Sequence, residues 1–583
     1  MATRYALESD DILVEIFRHF RTSYHWDPSP WRHPRRGGSV YHDLARAARV
    51  NKMFSAHALN ALWWEIPSER VALNVLPAFR ATPARVQYPT DFDVSADMQN
   101  NTEWVYSINS DLIPHELERL RTYAYRVREV SIDGEERENI RIPVIEYIAG
   151  RLGGPLFPRL MCLKWNGATI YKNTGNIDRV LLAMAGTNLR ILALRPSRFL
   201  SEVEDDEFHR QLLNIAPALT TRSPCIQHIE LSESPDVCFV RDSDWGFSTI
   251  GVGWDSAFAT PFISAFRNLE RLRIQTFALD ETLVDTLVAL PNLLDLSLKT
   301  VWSSNSPQFQ GVRGRFSKLH TMRVTVKFGE AASLLQRCEW PALQVLHVRI
   351  FTLKDCIRLD QMLEFVELIA TKFRASPLHD LVLSGFYCGS FKSDTMSVTR
   401  ILSPLCCLHL LRSLKLGMGS RTSYTGLYGI FLHWPALEEL TLDMEELIVT
   451  VSMEESTFRG FLPHESLQTL LEVASACPRL RTVTLNCLAP PSVPLHDLDL
   501  HGLSSHNLER VTFTHTGRDY PSESIGPLAT MLESVFPKLE LNDLSSAALK
   551  QPSPEMREKK HMWLALLEEM RRIRREKTNA SNS

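Results

Sequence analysis

One phrase constrains the fold of this chain more than any other feature of its sequence. After residue 126, the order apolar, two variable residues, apolar, one variable residue, apolar returns about a dozen times. Copies that begin at Leu269, Leu293, Leu319 and Leu343 lie 24, 26 and 24 residues apart. A phrase that recurs at so constant a period predicts an array of stacked structural units.

Each unit combines a helix, a turn and a short strand. The segments between phrases, such as 281–290 and 360–373, carry apolar residues at the helical spacing of i, i+3, i+4 and i+7. In six places a proline stands two residues before a leucine, where it ends a helix and begins an extended run. These prolines are Pro158, Pro291, Pro341, Pro435, Pro478 and Pro537. The alternating apolar residues of each strand then point into the array, and the residues between them face outward.

This combination is typical of leucine-rich repeats, and it predicts an irregular α/β solenoid with a parallel sheet on its concave face. We expect the solenoid to span residues 127–541, after a connecting segment at 67–126 whose prolines interrupt short apolar pieces. The alternative for this segment is a first, degenerate layer of the array. Residues 542–583 predict an amphipathic basic helix and a disordered end. Such a helix favours capping of the last repeat, with binding of a partner or of nucleic acid as the alternative.

Residues 1–66 contain no clear copy of the phrase and predict short amphipathic helices instead. The first helix is expected to use Ser9 as its cap, and another to begin with Asp43 as its cap. The apolar stripe of the first helix comprises Ile12, Leu13, Ile16, Phe17 and Phe20. A helical segment of about 60 residues is marginally stable alone, so it must pack on the array or on another protein.

These helices resemble the F-box motif. Three blocks carry the resemblance: DDILVEIF at 10–17, LARAARVNKMF at 44–54, and LW at 62–63. An F-box followed by irregular leucine-rich repeats is similar to the F-box-like proteins of mushroom-forming fungi. The chain departs from the pattern in having Leu7-Glu8 where Leu-Pro is usual, and in its long insertion at 21–42.

The resemblance implies a small all-helical F-box-like domain at residues 1–66, so we expect an α+β/α protein with this domain first and the solenoid second. It implies that the domain docks on the Skp adaptor, and through it on the cullin, of a ubiquitin ligase, while the repeats bind a protein substrate. The implied adaptor contacts, with Trp63 as the preferred anchor and Phe17 next, are Leu7, Ile12, Leu13, Ile16, Phe17, Leu44, Val50, Asn51, Phe54, Leu62 and Trp63. The alternative is a leucine-rich scaffold unrelated to ubiquitin, in which the N-terminal helices only cap the solenoid.

Composition and motifs argue against several other classes. The formal net charge of -4 gives no overall attraction to nucleic acid or to an anionic membrane. The N-terminus lacks the apolar core of a signal peptide, and no run of about 18 apolar residues follows, which predicts a protein of the cytoplasm or nucleus. The 10 cysteines form no CxxC pair, and phosphate-loop, dinucleotide, zincin and nucleophile-elbow motifs do not occur. We therefore expect no cofactor, no bound metal and no catalysis, and keep an enzyme of unfamiliar type as a third interpretation.

Overall fold

A computed structural model of the chain divides it into two compact units, residues 1–307 and 308–583. Both units are built from parallel strands joined largely by helices. The structure describes residues 9–20, 38–85, 102–133, 138–140, 142–166, 177–195, 202–232, 254, 256–276, 279–300, 313–350, 357–386, 396–418, 422–423, 427–443, 466–488, 506–516, 525–541 and 554–582.

The first unit begins with three short helices before the repeats start. Its described helices are α1 (Asp10–Arg18), α2 (Gly38–Ala47), α3 (Lys52–Leu62), α4 (Glu69–Leu73), α5 (Pro114–Ala124), α6 (Ile142–Leu152), α7 (Ile177–Met184), α8 (Glu202–Arg222), α9 (Ser256–Ser264) and α10 (Glu281–Ala289). The expectation that a helix begins with Asp43 as its cap is wrong, because Asp43 lies inside α2. A turn separates α2 from α3, where Asn51 has an extended backbone and caps α3. Ser9 precedes α1 but makes no side-chain cap hydrogen bond.

A parallel sheet follows α3 directly. The described strands of the first unit are β1 (Glu65–Ile66), β2 (Phe79–Arg85), β3 (Thr102–Ile108), β4 (Glu129–Asp133), β5 (Glu138–Ile140), β6 (Cys162–Asn166), β7 (Ile191–Arg195), β8 (His228–Leu231), β9 (Arg271–Thr276) and β10 (Asp295–Thr300). The main sheet runs in the order β1-β4-β6-β7-β8-β9-β10. Neighbouring strands pair in register, so their inward residues form buried columns. One column is Val130, Leu163, Leu192, Ile229, Leu272 and Leu296.

Regular structure also occupies the segment 67–126, which the sequence predicted to connect the two parts. It contains α4, α5 and the strands β2 and β3, which pair antiparallel. β3 pairs in parallel with β5 to complete a small sheet in which β2 is an edge strand. An edge strand tolerates proline because its outer N–H groups need no partner strand. Pro83 within β2 is therefore compatible with a strand.

The second unit repeats the strand-and-helix plan. Its described strands are β11 (Gly314–Arg315), β12 (Thr321–Val326), β13 (Cys338–Glu339), β14 (Val345–Ile350), β15 (Asp380–Phe386), β16 (Met396–Ser397), β17 (Ser413–Met418), β18 (Thr422–Ser423), β19 (Glu439–Asp443), β20 (Thr482–Leu488) and β21 (Arg510–Thr516). Its helices are α11 (Phe328–Arg337), α12 (Leu359–Phe373), α13 (Val398–Leu402), α14 (Tyr428–Phe431), α15 (Ser466–Ala476), α16 (Ile525–Val535) and α17 (Pro554–Asn582), with a 3-10 turn at Ser403–Cys407.

The leucines of the phrase build the core of this second unit. Its main sheet runs in the order β12-β14-β15-β17-β19-β20-β21, with parallel pairing throughout. The in-register buried column is Met322, Leu346, Leu381, Leu414, Leu440, Val483 and Val511. This register, with helices between the strands, is that of a leucine-rich-repeat α/β fold and confirms that part of the sequence prediction.

Helix α17 packs against α16 at the last described strand. Leu566, Leu567 and Met570 of α17 are buried. The Arg574 guanidinium donates to the Glu533 carboxylate of α16 at 2.8 Å, and that carboxylate is almost fully buried. The sequence predicted a disordered end here, whereas the structure continues α17 to Asn582. Ion pairs of Arg572 with residues three and four positions away support helix in this polar segment.

Candidate docking surfaces

The three N-terminal helices share a small core of their own. The fully buried members are Leu13, Phe17, Leu44, Ala58 and Ala61. Phe54 and Leu62 are half-buried and pack against this cluster. The Phe17 ring meets the Phe54 ring edge to face, with centroids 5.8 Å apart, which is a favourable aromatic geometry. These residues hold α1, α2 and α3 together.

Two polar contacts fix the positions of α1 and α3. The Asn51 side chain accepts a hydrogen bond from the Phe54 backbone N–H at 2.9 Å. The His57 Nε2 atom lies 2.6 Å from the Asp10 carboxylate, which ties the middle of α3 to the first turn of α1. The imidazole of His57 also stacks beside the Phe17 ring. Asn51 therefore has a structural role, whatever else it contacts.

A second apolar stripe begins on α1 and continues just beyond its end. Ile12 and Ile16 lie one turn apart on α1. Phe20 follows at the same spacing after the helix ends at Arg18, and its ring centroid lies 6.1 Å from that of Phe17. The side chains of Ile12, Ile16 and Phe20 are 42%, 38% and 38% exposed, whereas Leu13 and Phe17 are buried on the adjacent face. Val50 and Met53, on either side of the α3 cap, are also exposed apolar residues. Most apolar residues this large are buried, so their accumulation on one small unit makes this surface a candidate for docking.

The other side of the three-helix unit packs against α5 and the turn that follows it. The Trp63 ring packs on the Tyr123 ring of α5 with centroids 4.7 Å apart. The Arg126 guanidinium donates to the Ala56 carbonyl and to the Asn60 side chain of α3. Trp63 is thus half-buried within the chain itself.

The implied adaptor contacts consequently fall into four groups. Ile12, Ile16 and Val50 are exposed, and Asn51 is an exposed helix cap. The remaining described members are buried or half-buried in the chain's own contacts: Leu13, Phe17, Leu44, Phe54, Leu62 and Trp63. Leu7 lies outside the described residues. Phe20 and Met53 are exposed apolar residues that the F-box pattern does not single out, although Phe20 continues the spacing from Ile12 and Ile16.

The outward face of the main sheet differs between the two units. In the first unit, several outward residues are buried, among them Glu129, Glu230 and Gln275. Glu129 forms an ion pair with Lys164, whose side chain is also largely buried. Burial is the largest single influence on the Lys164 ammonium and lowers its pKa, but the charge and hydrogen bond of Glu129, with smaller contributions from Cys162 and Glu65, together raise the pKa above its ordinary value. This part of the sheet face is closed to a large partner.

In the second unit the same face is accessible. Among the described outward positions of β12, β14, β15 and β19, none is fully buried apart from the glycine bulge at Gly385. Lys415 and Glu439 pair at 3.1 Å with both side chains about half-exposed. His347 and Asp380 pair at 3.1 Å. Burial raises the pKa of the Asp380 carboxyl, but the hydrogen bond and charge of His347, the hydrogen bond of Ser413 and the charge of Lys415 together lower it below its ordinary value. The accessible face therefore presents both signs of charge.

Two further chemical features concern the described part of the chain. No helix there is long and apolar enough to cross a membrane. No group of three or more His, Cys, Asp or Glu side chains in that part is arranged to hold a metal ion.

Comparison with known proteins adds little to this geometry. No family model and no curated protein matches the chain. An internalin from Listeria monocytogenes is similar over 74% of this chain and 89% of its own, with 13% identity and a TM-score of 0.30. A chain of the Toll–Spatzle complex, from Drosophila, is similar over 70% of this chain and 52% of its own, with 13% identity and a TM-score of 0.30. This chain thus spans about half of that second protein. The fold assignment rests on the strand register described above and takes no support from similarities this weak.

Proposed function

We propose that the protein is the substrate-recognition subunit of a Skp-cullin-F-box ubiquitin ligase. One observation carries the proposal: Leu13 and Phe17 of α1 belong to the core of the three helices, whereas Ile12 and Ile16 of α1, and Phe20 just after it, are not members of that core. The stripe of Ile12, Ile16 and Phe20 remains exposed. A helix that buries one apolar face within its own chain and exposes another is suited to docking in a groove of a second protein.

The proposed adaptor contact consists of Ile12, Ile16, Phe20, Val50 and Met53. Complete burial of a large aliphatic or aromatic side chain is worth about 1.5–3 kcal/mol, so burial of the exposed parts of five such residues gives several kcal/mol. The buried members of the F-box pattern, such as Leu13 and Phe17, hold the helices in the geometry that presents this surface. The departure at Leu7-Glu8 makes the exposed stripe more important to the contact than in a motif with the usual Leu-Pro start.

The proposed substrate surface is the accessible sheet face of the second unit. Arg323, His347, Lys415 and Glu439 lie there between the buried columns. Mixed charges on a partly exposed sheet suit recognition of a polar protein surface, where charge arrangement gives specificity. No catalytic group is needed in such a subunit, because the ubiquitin chemistry belongs to other subunits of the ligase.

The decisive experiment is co-purification of the full-length chain with the Skp adaptor. Wild-type protein is expected to form a stable complex, and Ile16→Asp is expected to abolish it because a carboxylate would be buried at the interface. Val14→Asp is the matched control: Val14 is also 38% exposed on α1 but lies about half a turn from Ile16. Circular dichroism should show that both variants remain folded.

Two results would contradict the proposal. The first is failure of the folded wild-type chain to bind the adaptor. The second is equal loss of binding in Ile16→Asp and Val14→Asp, since the stripe would then have no special part in the contact.

The packing of Trp63 on Tyr123 favours a second candidate, in which the helices serve only to cap a leucine-rich scaffold. This function predicts that no adaptor binds and that the main effect of Trp63→Ala is to destabilise the first unit. Adaptor binding by the wild-type chain, measured as above, separates the two candidates.

A further inference from the structure

A cavity with an unusual concentration of arginine lies in the first unit, between α3, α5 and the turn before β6. Its volume is about 660 Å³, within the usual range of roughly 300–1,000 Å³ for small-ligand sites. Arg121, Arg126, Arg128 and Arg159 line it, and Glu118 is the acidic residue among its lining. The lining thus has a formal excess of three positive charges in a chain whose net charge is negative.

The Arg159 side chain lines this cavity and stacks on an aromatic ring. Its guanidinium carbon lies 3.7 Å from the centroid of the Tyr125 ring, which is a close stacking distance. Within the described part of the chain, Arg159 makes no hydrogen bond and no ion pair. A guanidinium that stacks through its face keeps its edge N–H groups available for the oxygens of an anion. Tyr125 therefore positions a cation whose donors are unused.

Arg126 contributes a second donor from deeper in the site. Its Nη1 atom donates hydrogen bonds to the Ala56 carbonyl and the Asn60 side chain of α3, and these bonds fix the position of the Arg126 side chain. Its Nε–H is buried and has no hydrogen-bond partner among the described residues. A buried donor without an acceptor is costly, by roughly 1–3 kcal/mol, and an anionic oxygen in the cavity would remove that cost.

Arg121 and Arg128 add positive charge to the lining, and Trp64 adds an aromatic surface beside Arg128. The Arg128 guanidinium lies 5.6 Å from the centroid of the Trp64 ring. Arg121 pairs with Glu118 at 3.4 Å, with both side chains largely exposed. Such an exposed pair is weak, so an anion with a higher charge density can compete with Glu118 for Arg121.

We propose that this cavity binds a small organic phosphate, with its phosphoryl group held by Arg126 and Arg159 and its organic part beside Trp64 and Tyr125. Guanidinium groups pair with phosphate oxygens through two parallel hydrogen bonds, which suits the planar edge of Arg159. The volume of about 660 Å³ is of the size that a small molecule fills. The cavity lies on the side of α3 opposite to the core that α1, α2 and α3 share. Binding at the cavity therefore does not depend on docking to a ligase.

Isothermal titration calorimetry of the full-length chain, without any adaptor, tests this proposal. The probes are phenyl phosphate and inorganic pyrophosphate, compared at matched ionic strength, and each titration is repeated at a higher concentration of sodium chloride. Wild-type protein is expected to bind at least one probe, more weakly as salt is raised. Arg159→Gln is expected to weaken binding at least about tenfold, since a hydrogen bond to a charged group is lost. Glu118→Gln is expected to tighten it by removing the competing carboxylate.

Arg190→Gln is the matched control, because Arg190 is an exposed arginine that also stands just before a strand but does not line the cavity. Its binding should equal that of wild type, and thermal melts should show all three variants to be folded. Failure of the wild-type chain to bind both probes, each tested up to millimolar concentration, would overturn the proposal, and so would equal affinities of Arg159→Gln and Arg190→Gln. Because no adaptor is present, these outcomes are independent of whether the protein joins a ligase.

Discussion

Replacement of Leu414 by alanine tests the strand register on which the whole fold rests. Leu414 stands between Leu381 and Leu440 in the buried column of the second unit, and all three side chains are fully buried. The substitution removes three carbon groups, worth about 0.8 kcal/mol each in transfer free energy. Strand pairing on both sides limits collapse of the resulting cavity, which adds a further cost. We expect a loss of about 3–4 kcal/mol in the free energy of unfolding.

Lys415→Ala supplies the control at the neighbouring position. Its side chain faces the opposite side of the sheet, where it forms a half-exposed ion pair with Glu439 and its charge also acts on Asp380. Such pairs contribute about 0.2–1 kcal/mol, so this variant should be nearly as stable as wild type. Urea unfolding followed by circular dichroism measures both variants, and hydrogen exchange of the amides in β15, β17 and β19 locates the effect. A cost for Lys415→Ala equal to that for Leu414→Ala would refute the register, because a slip of one residue exchanges the two faces.

Three further predictions concern single side chains. Asn51→Ala should cost about 1 kcal/mol in thermal or urea unfolding, because it removes the cap of α3. Burial and the Arg271 charge lower the pKa of His228 to about 4, from an ordinary value of 6.5; between those two pH values the unfolded chain binds a proton that the folded chain does not. Stability should therefore fall as the pH drops from 6.5 to 4, and His228→Gln should reduce that slope in urea titrations. Arg574→Ala should cost roughly 1–3 kcal/mol, measured by urea unfolding, because it leaves the buried Glu533 carboxylate without this partner.

Each of these predictions has a result that contradicts it. Lys52→Ala, beside the cap, should leave stability nearly unchanged, and an equal loss in both variants would remove the capping argument. An unchanged slope in His228→Gln would show that other groups govern stability in that pH range. Arg575→Ala changes an exposed arginine next to Arg574, and a similar cost would exclude a specific contribution of the Arg574–Glu533 pair.

The inward leucines were predictable because their spacing alone decides which residues face the core. Alternation along a strand has a period of two, so Leu272 and Ile274 must share a face whatever surrounds them. The prolines at 291 and 341 also predicted the turns before β10 and β14, since proline restricts the backbone locally. These features depend on nearby residues and need no knowledge of distant contacts.

The sequence alone could not show which apolar residues of α1 face the core and which are exposed. Ile12, Leu13, Ile16, Phe17 and Phe20 form one broad stripe on a helical projection, and nothing local shows which half meets α3. The pairing of Asp10 with His57 and the packing of Phe17 on Phe54 make that choice, and both join residues far apart in sequence. For the same reason Trp63 could be recognised as part of the motif but not as a neighbour of Tyr123.

The sequence also did not predict the arginine cavity or the small sheet of β2, β3 and β5, for different physical reasons. The cavity collects residues from 56–64, from 118–128 and from position 159, so no short window contains it. The prolines of 67–126 suggested interruptions, but Pro83 lies in an edge strand, where proline is compatible with pairing on the other side.

The position of α17 beside β21 has a consequence for shortened forms of the protein. β21 is the last described strand of the second unit's sheet, and α17 lies next to it. A terminal strand with an open edge is a template onto which a strand from another molecule can add. Proteolytic loss of residues 554–582 would also uncover the apolar side of α16, and fragments of this kind are expected to form fibres or precipitate during expression.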